Sequence, residues 1–467
     1  MNNIMNIGRK DVMWNYIATF LQIGSSLVLL PFMLRSFSGE TVGLWTVYAT
    51  IISFVGLLDM GFNATFSRNI TYIVSGVREL KTIGYQNVNA ETNDIDYGLL
   101  NGLIQAMRWF YARMSVLLLL LLTTAGTYYI LTLLKTYSGN HNEVYVSWSI
   151  LCAVNAYSLY TLYYDALLSG KGLIKQAKQI QIVGQTVYLI VAIVLIHFHF
   201  SLTAIVSAQA LSILIRRYLS KYVIFTVDFK QSLSIAKASS RKEFIRVTMP
   251  NAVKFGLTSL GSMLTSRVSG IIGPLYLALS EIGSYGITVQ IIWVIAAVAG
   301  VYSSTYMPKI AQFHVRENRD SVKKTYLKSL SVMLLTYVTG GSLLVLFGNP
   351  ALQLIKSNTQ LLPTFHIAVL LLINLLATNH TIAGQIIMQQ NKIPFFKADI
   401  ITGGATLLLL FLFLQFTDMR IWGMILAPGI ACACYSNWKW PLVIIKEYRI
   451  GYQDVINLML TKKSIIR

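Results

Sequence analysis

Apolar residues in this chain are gathered into long unbroken runs, and short polar stretches separate one run from the next. A helix that is apolar on every side cannot sit at the surface of a water-soluble domain, whereas about 20 such residues match the hydrocarbon thickness of a bilayer. Measured against that length, the pattern predicts twelve spans. They run from Val12 to Phe37, Thr41 to Thr65, Arg108 to Leu134, Val144 to Ser169, Ala177 to Phe198 and Leu202 to Phe225 in the first half. The second half supplies Met249 to Gly273, Ile282 to Met307, Thr325 to Phe347, Leu361 to Met388, Pro394 to Phe416 and Ile421 to Ile445. The first run passes Arg9 and Lys10 and continues to Phe37 with no small-residue cleavage site, so it reads as a retained span and not as a signal peptide.

Composition changes this picture in one respect, through charge. Hydrophobic residues make up 55% of the 467 positions and charged ones 12%, half of what a soluble domain carries. The 38 Lys and Arg against 18 Asp and Glu leave a net charge of +20. On a soluble protein that excess would suggest nucleic acid; on a hydrophobic chain it reports topology, and no nucleic-acid partner is expected. With the N-terminus placed inside, the basic residues crowd into every second loop, and the opposite loops hold only Arg35, Lys135, Lys356 and Arg420. This alternation predicts that both termini are cytoplasmic. The outer loops are short, the longest lying around Lys135 to Glu143, which leaves no room for an external catalytic domain. No phosphate-binding loop, zinc-protease helix or nucleophile elbow is present, so an ATP-driven pump is not expected, and any energy would come from an ion gradient or from consumption of product.

The basic inner stretch 226–248 divides the spans six and six. The predicted organisation is therefore an N-terminal six-helix lobe over 1–225, a cytoplasmic linker over 226–248, a C-terminal six-helix lobe over 249–446 and a cytoplasmic tail over 447–467. An offset of 240 residues places Gly43-Leu44-Trp45 on Gly283-Ser284-Tyr285 and Arg68-Asn69-Ile70 on Pro308-Lys309-Ile310. Ser169-Gly170-Lys171-Gly172 and Gln390-Asn391-Lys392 likewise end the fourth and tenth spans. Six crossings return the chain to its starting side, so the lobes are expected to be parallel repeats related by a pseudo-two-fold axis along the membrane normal.

Ionisable groups at bilayer depth are costly and mark candidate sites unless they reach an interface. Asp59 and Asp165 lie within two turns of the inner ends of the second and fourth spans, Lys254 one turn into the seventh, and Arg267 well past its midpoint. Lys254 and Arg267 are about 220° apart around an ideal helix, so a straight seventh span cannot aim both at one cavity. Arg216, Arg217 and Arg68 read as positive-inside anchors, and Arg68 as a cavity candidate as well. Trp14, Trp45, Tyr163 and Tyr164 read as interfacial aromatics or as platforms for sugar rings. His197 and His199 point to opposite sides of a helix end, and Cys152, Cys432 and Cys434 read as packed thiols, so no metal site or disulfide is expected.

Several stretches resemble one family. Leu34-Arg35-Ser36-Phe37-Ser38-Gly39-Glu40-Thr41-Val42-Gly43-Leu44-Trp45, followed by Leu57-Leu58-Asp59-Met60-Gly61-Phe62-Asn63 and Arg68, is similar to the opening helices of polysaccharide transporters of the multidrug/oligosaccharidyl-lipid/polysaccharide (MOP) exporter superfamily. Glu281-Ile282-Gly283-Ser284-Tyr285-Gly286, Tyr306-Met307-Pro308 and the stretch from Gly384 to Lys392 resemble the family's second lobe. Where family members carry an Asp-Arg pair in the first helix of that lobe, this chain has Ser269-Gly270, with Arg267 slightly earlier.

The resemblance implies an all-α, twelve-helix membrane protein of the MOP or MATE-like fold, acting as a Wzx-type flippase in the bacterial inner membrane. Its substrate would be an undecaprenyl-diphosphate-linked oligosaccharide, an O-antigen or capsule repeat unit. Arg267, Arg68, Lys254 and Arg35 are then expected to line the route of the diphosphate, and Asp59 and Asp165 to gate it or couple an ion. No cofactor is implied beyond a coupling proton or sodium ion. A glycan polymerase and a chain-length regulator are the implied partners, and the protein would work as a monomer. A drug or organic-cation antiporter on the same fold is the nearest alternative, and a membrane glycan-assembly enzyme the alternative of a different class.

Overall fold

The computed structural model describes residues 9–59, 61–74, 76–77, 95–237, 241–315, 318–388, 394–451 and 454. Among these every regular element is helical. The chain forms two compact units, one of Met1–Thr41 with Tyr48–Ser259 and one of Val42–Val47 with Leu260–Arg467. The division falls inside the helix that opens the seventh span. The acidic residues Glu91 and Asp94, the stretch 389–393 and the tail after Asp454 lie outside the described residues.

The first ten helices are α1 (Arg9–Ser36), α2 (Gly39–Val55), α3 (Phe62–Val74), α4 (Tyr97–Leu121), α5 (Thr127–Leu134), α6 (His141–Tyr160), α7 (Tyr163–Gly170), α8 (Ile174–His197), α9 (Leu202–Ile224) and α10 (Val227–Ile235). Eight follow: α11 (Arg241–Arg267), α12 (Ser269–Ile272), α13 (Leu279–Val315), α14 (Arg319–Leu354), α15 (Thr364–Met388), α16 (Phe396–Phe416), α17 (Ile421–Cys434) and α18 (Ser436–Glu447). Eight helical segments among the described residues are long and apolar enough by themselves to cross a bilayer. The expected second, fourth, seventh and twelfth spans are each divided, into α2 and α3, α6 and α7, α11 and α12, and α17 and α18. The third is longer than expected: α4 and α5 join through a π-helical turn, Leu122–Gly126, into one apolar rod from Tyr97 to Leu134.

Large apolar side chains stay exposed along these rods, among them Val116, Leu120 and Leu121 on the first and Leu335, Leu346 and Phe347 on α14. In water such surfaces would aggregate; in a bilayer they face acyl chains, and this is a multi-pass membrane protein.

Within the first unit α1 packs on α8, α8 and α6 on α9, α4 on α6, and α3 on α7. Within the second, α13 packs on α14 and α15, α16 on α17, and α15 on α18. Three span pairings are common to the two units: α3 on α7 with α13 on α15, α6 on α9 with α15 on α18, and α8 on α9 with α16 on α17. Aromatic rings fill the first unit's core, with Phe62 and Phe110 centroids 4.0 Å apart and Phe66 and Tyr111 beside them. In the second unit, Tyr326, Met333, Ile386 and Ile444 are buried together. Beyond α18, Asp454 pairs with Lys323 on α14 at 2.6 Å, and that ammonium, with the Gly451 N–H, holds its carboxyl below the usual range.

Candidate functional site

Irregular backbone at bilayer depth must find hydrogen-bond partners within the protein, and it persists where it lines a cavity. The first unit has two such breaks, bonded to each other. In the second span, α2 gives way at Val55 to a tight turn, Gly56–Asp59, and restarts at Phe62. Gly61 sits at φ 70°, a conformation that side chains with a Cβ rarely adopt. The Asp59 carboxylate accepts the Asn63 backbone N–H at 3.1 Å, satisfying a donor at the start of α3. In the fourth span the chain turns at Thr161 and Leu162 between α6 and α7. The Leu162 carbonyl accepts the Asp165 backbone N–H at 2.9 Å and also the Asn63 side-chain amide at 3.2 Å, a bond that ties one break to the other. Gly170, at the end of α7, lets α3 approach so closely that a Cβ there would lie 2.5 Å from that of Ile70.

Beside these breaks lies a cavity of about 340 Å³ lined by Gly56, Leu162, Asp165, Gln209, Arg216 and Arg217 among others. Asp165, in the first turn of α7, receives a hydrogen bond from Arg217 Nη1 on α9 at 2.7 Å. Arg217 is 5% exposed and Asp165 36%. Nε of Arg217 is buried with no hydrogen-bond partner. Arg216 reaches the cavity because α8 carries Gly184: an added Cβ would collide with Arg216 Cγ, and Ser212 Oγ closes the contact by donating to the Gly184 carbonyl at 2.7 Å. Among the described residues that line this cavity, two guanidinium groups therefore stand with a single carboxylate.

The second unit holds a cavity of about 310 Å³ at its own broken span, between Cys432 on α17 and Ser436 on α18. Asp399, His380, Asn374, Tyr285 and Trp293 line it. Nδ1 of His380 lies 2.8 Å from Asn437 Oδ1; an amide oxygen only accepts, so Nδ1 carries the proton. Thr265, Ser266 and Thr381 donate to carbonyls one turn back, which leaves their lone pairs for the cavity. Among the described residues no cluster of three His, Cys, Asp or Glu offers a metal site.

The expected site residues are dispersed. Arg267 ends α11 with its guanidinium 3.7 Å from the centroid of Trp293, held by a cation–π contact and by the helix C-terminus. It touches a wall of the second cavity without lining it. Arg68 on α3 and Arg35 in the last turn of α1 are exposed, and the side chain of Lys254 lies outside the described residues. Asp59 binds Tyr111 Oη at 2.7 Å as well as the Asn63 amide. Of the five whose side chains are described, only Asp165 lines either cavity.

Other residues depart from their sequence reading. Arg217 is no interfacial anchor but a buried ion-pair partner. Tyr163 and Tyr164, expected at an interface, are buried with centroids 4.4 Å apart, and Cys434 is exposed. Asp399 and His380 were missed, although each stands inside a predicted span and the same rule for intramembrane charge singles them out.

Asp59 yields a clean substitution test. Ala would remove the cap, at about 1 kcal/mol, and strand the hydroxyl of fully buried Tyr111, at about 1–3 kcal/mol more. Asn keeps an acceptor for both donors. Thermal unfolding of the purified protein should therefore show Asp59→Ala clearly destabilised and Asp59→Asn close to the parent. Equal losses in the two would mean that the charge, not the acceptor, holds the break.

No sequence-family model matches this chain, and no curated protein matches it in sequence. Solved structures do. It is similar to the lipid II flippase MurJ in an inward closed conformation, with a TM-score of 0.63 and 13% identity over 96% of this chain and 90% of that one. An inward-facing multidrug resistance MATE transporter of the MOP superfamily gives a TM-score of 0.59 at 13% identity, covering 95% and 96%. A MATE protein in the bent conformation gives 0.52 at 13%, covering 97% of each chain. The chain shares the fold of these structures.

Proposed function

We propose that this chain is a flippase that carries an undecaprenyl-diphosphate-linked oligosaccharide, an O-antigen or capsule repeat unit, from the cytoplasmic to the outer leaflet of a bacterial inner membrane. One observation carries the reading: among the described residues, the lining of the first unit's cavity sets Arg216 and Arg217 against one carboxylate, Asp165, at paired helix breaks. An excess guanidinium at bilayer depth is expensive, and it suits an anion, above all the oxygens of a phosphoryl group. The fold supports the same reading, since its structural neighbours include a lipid flippase. A glycan polymerase and chain-length regulator would take up the product, and the monomer with both termini cytoplasmic is the working form.

The second cavity favours a second reading. Asp399 stands there with the acceptor-rich lining described above, an arrangement suited to a coupling ion or, on the antiporter alternative, to an organic cation. Deleting the gene separates the two. The flippase reading expects complete lipid-linked repeat units to accumulate, by mass spectrometry of lipid extracts, while surface glycan disappears, both reversed by the intact gene. Normal surface glycan in a strain newly sensitive to cationic dyes would instead establish the antiporter.

A further inference from the structure

We propose that Asp165 is a stand-in for the ligand: the first unit's cavity is a phosphoryl-anion site in which a phosphate or diphosphate replaces Asp165 on Arg217. The inference rests on the flippase reading for the identity of the anion and adds to it a place and an exchange.

Arg217 is built to stay and Asp165 to leave. The arginine is buried, 5% exposed on the long helix α9, whereas the aspartate is 36% exposed. The aspartate also belongs to the eight-residue segment α7, joined to α6 through the turn at Thr161 and Leu162. Separation of the pair therefore needs a hinge at an existing break, and no long helix has to unwind.

The present pairing also underuses the guanidinium. One carboxylate oxygen takes Nη1, and Nε is buried without a partner. A guanidinium presents donors as a planar fork, and the tetrahedral array of oxygens on a phosphoryl group satisfies Nε and a terminal nitrogen together. Arg216 brings a second fork to the same cavity, its stem set by the notch at Gly184, and the Gln209 amide adds a neutral donor. Two cationic groups and one anionic group then become two cationic groups facing a diphosphate, with the carboxylate released toward its exposed side. Because the ligand displaces Asp165, its affinity is reduced by the fraction of time the carboxylate holds Arg217. Binding and the loosening of α7 from α9 become one event.

The test uses the purified full-length protein in detergent, with binding read from thermal shift and calorimetry. Inorganic pyrophosphate, undecaprenyl diphosphate and phosphatidylglycerol are the three probes. Asp165→Asn should bind both diphosphates roughly tenfold more tightly than the parent, because the competitor is gone. Arg217→Gln and Arg216→Gln should each weaken them by roughly tenfold or more. Should Asp165→Asn prove unstable without ligand, pyrophosphate should restore its unfolding midpoint by more than it raises the parent's.

Unchanged affinity in Asp165→Asn, with binding still lost in Arg217→Gln, overturns the exchange and leaves the flippase reading standing. Equal affinity for the diphosphates in all four proteins overturns the site itself. Tight binding of phosphatidylglycerol, with none of pyrophosphate, assigns the arginines to bulk lipid headgroups and overturns the proposal. Failure of the flippase reading shows elsewhere, as absence of lipid-linked glycan in the deletion strain while the Asp165-dependent exchange persists.

Discussion

Alanine at Gly403 is expected to cost most of the folded protein, and alanine at the next position, Gly404, to cost none. The two residues sit side by side on α16, but a Cβ at Gly403 would lie 2.6 Å from the Gly261 carbonyl and 3.0 Å from Leu264 Cβ, whereas one at Gly404 meets nothing within 4 Å. The partner helix α11 is locked in return, since a Cβ at Gly261 would collide with the carbonyl of Asp399. Facing glycines of this kind let two helix backbones touch, and membrane helices rely on such packing because lipid supplies no hydrophobic drive between them. Backbone atoms cannot step aside as a flexible side chain can, so overpacking here costs about 1–3 kcal/mol or more. Removing Gly404 only raises helix propensity, by about 0.5–1 kcal/mol. Gel-filtration yield and melting temperature of the two variants check the contrast. The consequence reaches the second cavity, because Asp399 is held at its wall by this contact. Equal behaviour of the two variants would mean that α11 and α16 do not close on each other through these glycines.

How far the sequence foretold this architecture follows from what hydropathy measures. A bilayer demands length and apolarity, both additive along a chain, so the all-helical, multi-pass membrane character was legible. The breaks were not. Gly56, Asp59 and Gly61 interrupt the second span, yet they are three residues in an apolar run, and the turn at Thr161 and Leu162 contains neither Gly nor Pro. Local backbone hydrogen bonds close it, and its tie to the other break comes from Asn63, 99 positions away. The first cavity was illegible for the same reason. Distance from a helix end makes Arg217 an anchor; only the fold sets Asp165 of α7 across from it and clears room for Arg216 with Gly184 of α8. Arg267 was visible as a deep cation, but its partner, the Trp293 ring, stands on another helix.

Substituting both members of the buried pair should restore stability without restoring transport. Asp165→Leu alone strands the Arg217 guanidinium in a site where it is 5% exposed, and breaking such a pair from one side costs about 3–5 kcal/mol. The lower end applies, because the carboxylate is 36% exposed and already shares its charge with solvent or headgroups. Arg217→Met alone leaves an acid that can turn outward, so its penalty is smaller. In the double variant neither charge is desolvated, and apolar replacements of a buried pair are often neutral or stabilising. A double-mutant cycle on unfolding midpoints should therefore show strong coupling, with the double variant near the parent. Glycan export at equal membrane levels should be absent from all three variants, since each lacks either the fork that holds a phosphoryl group or the carboxylate that yields to it. A pair kept only to fasten α7 to α9 predicts the opposite for the double variant, recovery of export together with stability. Export and folding thus part company in the double variant only if the charge serves the ligand.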